Sequence, residues 1–217
     1  AAIAGAIGFG LPGLRIVFAP TASPTAGVSP APSTLGGSIG PSAARSPGAS
    51  PSSGPPGSGL DLGTPTTLAA AQAQAGFPIL LPTDPAVGSP DAAWVDDVGR
   101  VTLVWRAAPG LPATDESSLG LVLSEFRGTI NPGYFEKILD AGSTIAPVTV
   151  RSRPGYWISG EPHQFVYVDP SNKPTFDARR MVGDTLAWSD GTVTYRIESA
   201  LGREAAVRVA ESLEPAP

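Results

Sequence analysis

From about residue 60 onward, apolar positions recur at two spacings, the two-residue period of strands and the three-to-four-residue period of helices. Leu68 to Ala75, with Thr67 before it and Gly76 after it, predicts one short helix: a hydroxyl cap, strong helix formers, and a residue that turns left-handed at no steric cost. Phe77 to Leu81, closed by Pro82, predicts a buried strand. Ala92 to Asp96 and Arg100 to Arg106 predict a hairpin across Asp97, Val98 and Gly99, with Val101, Leu103 and Trp105 on one side and Thr102 and Val104 on the other.

The second half continues the pattern. Leu119 to Arg127 predicts a strand with Leu121, Leu123, Glu125 and Arg127 on one parity and Val122, Ser124 and Phe126 on the other. Tyr134, Phe135, Ile138 and Leu139 recur at helical spacing behind Asn131-Pro132 and predict a two-turn helix over Pro132 to Leu139. Strands are expected at Val148 to Arg153, Tyr156 to Gly160 and Gln164 to Val168, the first two joined by a turn at Pro154-Gly155, and Asp169 to Pro174 reads as a loop. Thr185 to Trp188 and Thr192 to Glu198 predict a hairpin across Ser189, Asp190 and Gly191, and Gly202 to Leu213 a closing amphipathic helix. The sum is an α+β single domain: a mostly antiparallel sheet of about seven or eight strands with a few helices.

Composition divides the chain into three. Residues 20–59 hold 9 Pro, 8 Gly and 10 Ser, with Arg45 the one charge among them, and predict a disordered linker. Residues 1–19 form a juxtamembrane apolar segment, read as the end of a truncated anchor or as a short helix followed by a strand at Ile16 to Phe18 that docks on the head. Gly5, Gly8, Gly10, Pro12 and Gly13 break this stretch, which is shorter than the roughly 20 residues a spanning helix needs. Residues 60–217 are the folded head and hold every Asp and Glu and all four Trp. The order of apolar end, spacer and head is that of a domain held at a distance from a membrane.

Chemistry is sparse. The chain has no Cys, which removes disulfides, thiolate metal sites and thiol nucleophiles. Of its 14 basic residues Arg15 and Arg45 lie before the head, which carries all 19 acidic ones, a balance that argues against a nucleic-acid partner. His163 is the single histidine, and Ser159 lacks the flanking glycines of a nucleophile elbow, so a structural role for His163 is favoured over catalysis. No catalytic, cofactor-binding or metal-ligating residue is expected, and no cofactor. The candidate ligand or structural cluster is aromatic: Trp105, Tyr156, Trp157, His163, Tyr167 and Trp188, with core packing favoured over a ligand groove.

Leu68 to Pro82, Val101 to Arg106, Leu111 to Thr114, Pro154 to Tyr167, Leu186 to Trp188 and Ala210 to Leu213 together resemble the extracytoplasmic C-terminal domain of unknown function in bacterial single-pass, anti-sigma-factor-like membrane proteins. Gly10 to Ile16 is similar to the stretch that follows the membrane span in such proteins. The resemblance implies a cell-membrane protein anchored upstream, with its folded domain on the extracytoplasmic side, acting as a noncatalytic sensor or interaction domain toward an envelope protein or small ligand. The alternative it leaves open is an envelope module carrying a lipid or peptide on a concave sheet, with a hydrolase last.

Overall fold

The computed structural model describes residues 17–18, 54–129, 138–139, 142–171 and 173–217. At 17–18, 138–139, 163–166 and 174–181 it describes the backbone alone. In chain order the elements are β1 (Val17–Phe18), β2 (Thr64–Thr66), α1 (Leu68–Ala75), β3 (Leu80–Pro82), β4 (Ala92–Val95), β5 (Val101–Arg106), β6 (Leu119–Arg127) and β7 (Ile138–Leu139). They continue with β8 (Thr144–Val150), β9 (Arg153–Ser159), β10 (His163–Val168), β11 (Pro174–Val182), β12 (Thr185–Ser189), β13 (Val193–Ser199), α2 (Arg203–Glu211) and β14 (Leu213–Pro215).

One eight-stranded antiparallel sheet, ordered β2-β4-β5-β6-β13-β12-β9-β8, is the frame, and both described helices lie on one of its faces. Its centre is β6, whose residues are buried from Leu119 to Phe126. The helix-covered face holds the main core, with Leu103, Leu121, Leu123, Leu186 and Ile197 against Ala71 and Ala75 of α1 and Ala206, Val209 and Ala210 of α2. Small residues on the helices let them approach the sheet closely, so the α+β architecture expected from the periodicity is the one found.

The local signals act as their chemistry dictates. Thr67 Oγ1 accepts from the Ala70 amide at 3.2 Å, and Gly76 turns left-handed with φ 66°. At the β4–β5 hairpin, Asp96 Oδ1 accepts from the amides of Val98 and Arg100. At the β12–β13 hairpin, Asp190 Oδ1 accepts from Thr192 and Val193. Each Asp thus satisfies turn amides that no strand can reach.

Four expectations change. The β8–β9 turn is at Arg151-Ser152, with φ of 46° and 65°, and not at Pro154-Gly155, which lies inside β9. Gly155 is needed there for another reason: a Cβ would sit 2.9 Å from both Ala187 O and Trp188 Cβ. The strand expected at Phe77 to Leu81 is displaced to Leu80–Pro82, because the Gln72 amide group bonds Phe77 O and Ile79 N and holds that segment against α1. The closing helix ends at Glu211, and Leu213 enters β14, which pairs antiparallel with β3. Ile138–Leu139 form a two-residue strand paired parallel with Val17–Phe18, so they are not the end of a helix; residues 130–137 lie outside the described residues.

Most of the linker, residues 20–53, also lies outside the described residues. Its last part belongs to the head. Pro56 is buried, its carbonyl accepts from Trp94 Nε1 at 2.9 Å, and Gly57 lies against Leu62 and Trp94. Both outer strands of the sheet carry a proline, Pro65 in β2 and Pro147 in β8.

Candidate functional site

The sheet divides the five aromatic candidates between its two faces. Trp105, Trp157 and Trp188 are buried in the helix-covered core. Trp105 Nε1 donates to Gly88 O at 3.0 Å, and Trp188 stacks on Tyr195 with ring centroids 5.2 Å apart. These rings are packing groups with their polar atoms satisfied. Tyr156 and Tyr167 are buried on the opposite side of the sheet. His163 opens β10, paired with Val182, and its side chain lies outside the described residues. The six do not form one cluster.

The opposite face mixes an apolar cluster of Leu62, Trp94, Val104, Leu119 and Val122 with buried polar groups. Strand register aligns Trp94, Thr102, Ser124, Arg196, Ala187, Tyr156 and Pro147 in one row across it. Arg196, only 1% exposed, pairs with buried Glu198 at 2.9 Å, and Thr102 and Ser124 share a 3.3 Å hydrogen bond. At the β5 end Arg100 forms an ion pair with Asp96 at 3.2 Å and lies 5.4 and 5.5 Å from the ring centres of Phe126 and Tyr167. The two rings are themselves 4.5 Å apart, so this cation joins the sheet to the β10–β11 hairpin. A buried charge pair is held by its partner's charge, since each ion alone would cost several kcal/mol to desolvate.

On the helix-covered face, one acid sits among apolar neighbours. Glu125 is fully buried between Val101 and Tyr195 in the strand register, and both its oxygens accept from the Leu80 amide at 3.1 Å. Burial pushes its carboxyl up to about 8, the Leu80 bond opposing only in part. Its bond ties the β3–β14 ribbon to the main sheet. Periodicity places Glu125 on the parity of Leu121 and Leu123, and that was the available signal for a buried acid.

A half-enclosed cavity of about 280 Å³ opens where the start of β9 meets the β12–β13 turn. Thr129, Arg153, Pro154, Tyr156, Ser189, Asp190 and Gly191 line it. Burial disfavours the charged form of Asp190, yet the amides of Val193 and Thr192, the Tyr195 hydroxyl at 3.0 Å and the Arg153 charge outweigh it and hold the carboxyl below its ordinary value. Burial raises the Tyr156 phenol above its ordinary range. Ser189 is spent internally, donating to Val193 O and accepting from the Gly191 amide. These residues come from three distant parts of the chain, which is why sequence spacing did not bring them together; Tyr156 alone was anticipated.

Among the described residues no group of His, Asp and Glu is placed to hold a metal ion, and no helix is long and apolar enough to cross a membrane. Among the described residues the arrangement offers a small dipolar cleft and two buried acid-containing clusters. No family model, no curated protein and no solved structure matches this chain.

Proposed function

We propose that the head is a noncatalytic sensor or interaction domain of a membrane-anchored bacterial regulator, held on the extracytoplasmic side of the cell membrane. The observation that carries this reading is where the aromatic residues are used. Trp105, Trp157 and Trp188 fill a closed core under two helices, so the residues that carry the family resemblance serve stability and leave the surface for recognition. The resemblance of Leu68 to Pro82 and Pro154 to Tyr167 supports the membrane-anchored setting.

Carriage of an apolar ligand on the sheet loses support from the same geometry. Thr102, Ser124, Arg196 and Glu198 are already buried at the middle of the sheet face opposite the helices, so an acyl chain laid there would have to displace the protein that covers them. The test is topological: cells expressing the full-length gene product are converted to spheroplasts and treated with an external protease. Digestion of the head, with a cytoplasmic marker intact, is the expected result; a protected head overturns the extracytoplasmic reading.

A further inference from the structure

The cavity beside the β12–β13 turn carries charges of both signs that do not bond each other. Asp190 gives its bonds to Thr192, Val193 and Tyr195, while Arg153 acts on it through space. Among the described residues no ion pair joins the two side chains. We propose that this cavity binds a small zwitterion of the free α-amino-acid class, its carboxylate on Arg153 and its ammonium on Asp190, with the side chain against Pro154 and the Tyr156 ring.

Three features support that assignment. At about 280 Å³ the space lies just under the roughly 300 to 1,000 Å³ of pockets that take drug-sized ligands, which favours a metabolite of few heavy atoms. Asp190 Oδ1 accepts two amides, whereas Oδ2 accepts only the Tyr195 hydroxyl and keeps a lone pair for one more donor. The walls are preorganised, since β9 and β12 are adjacent paired strands and Ser189 and Asp190 are locked by the turn's own bonds, so little ordering is needed on binding. A simple anion would face the Asp190 charge and a simple cation the Arg153 charge; a molecule bearing both is complementary to each.

The site supplies the input of a sensor and so rests on the noncatalytic reading above. The test is a titration of the isotopically labelled full chain with L-valine, N-acetyl-L-valine and L-valinamide, followed by amide NMR. Saturable shifts at Gly191 and Tyr156 are expected with L-valine. Binding should be about tenfold weaker or worse with either derivative, because each lacks one charged hydrogen bond. Arg153→Gln, at an exposed position, should lose the response to L-valine while keeping the parent melting temperature. No saturable shift with L-valine, equal response to valinamide, or full binding by the Arg153→Gln variant would overturn the site and leave the noncatalytic reading standing. New product resonances from the probe would support a site and overturn the noncatalytic reading instead.

Discussion

At the scale of single residues, Glu125 has the largest energetic leverage. A carboxyl raised from 4.5 to about 8 in the folded state binds a proton that the unfolded chain has released between those values. Its contribution to stability is therefore complete below pH 4.5 and declines as pH rises toward 8, at about 1 kcal/mol per unit. Thermal melts at pH 5 and pH 8 should show the parent losing more stability over this interval than Glu125→Gln, whose amide still accepts from Leu80 but cannot ionise. Parallel losses would mean that Glu125 is charged in the folded protein. Trp157 and Trp188, by contrast, act through volume. Replacing either with Ala should cost about 3 to 5 kcal/mol in denaturant unfolding. Unchanged stability would remove them from the core.

At the scale of elements, the turns divide into those whose residues announce them and one whose residues do not. Thr67 and Gly76 bound α1, Asp96 and Gly99 shape one hairpin, and Asp190 and Gly191 shape another; each uses a side-chain acceptor or a free φ that can be named from the sequence. Arg151 and Ser152 carry neither signal, yet both adopt positive φ, and the nearby Pro154-Gly155 drew the expectation away from them. What holds the turn is tertiary: Arg151 Nε donates to Glu211 O at 2.9 Å, at the open C-terminal end of α2. Ser152 has no comparable role. Ser152→Gly should therefore stabilise the domain by up to about 1 kcal/mol, read as a higher denaturant midpoint at unchanged slope. A lower midpoint would show that the hydroxyl matters more than the backbone strain.

At the scale of the whole molecule, composition marked the head well except at its entrance. Residues 54–59 share the Pro, Gly and Ser content of the spacer, so nothing local distinguishes them; only the Trp94 indole, 38 residues on, reveals that Pro56 has a fixed place. Residues 60–217 should consequently unfold cooperatively but at a stability about 1 to 3 kcal/mol below that of 54–217, since Trp94 Nε1 loses its acceptor. Equal stability would return the turn to the spacer. The polar face was hidden for a related reason. Thr194, Arg196 and Glu198 alternate as a solvated strand face would, yet all three are buried, and Tyr167 of β10 packs on Phe126 of the same face.

The prolines in the two outer strands have a bearing on whether neighbouring copies of the domain can pair edge to edge. The two-residue turn fixes the pairing of β8 with β9 by its closing pair, Val150 with Arg153. Counting in twos from there, Ile145, Pro147 and Thr149 present their peptide groups to the open side. Pro147, exposed and at the middle of the three, offers no N–H, so a second extended chain would meet a gap where it needs a donor. Pro147→Val restores that donor and a strand-forming side chain. The variant is expected to self-associate more than the parent as concentration rises in sedimentation velocity, while its monomer keeps the parent's fold by circular dichroism. Sedimentation identical to the parent would show that the edge is guarded by something other than proline. Zippering of neighbouring copies into aggregates is the fate this one ring forestalls.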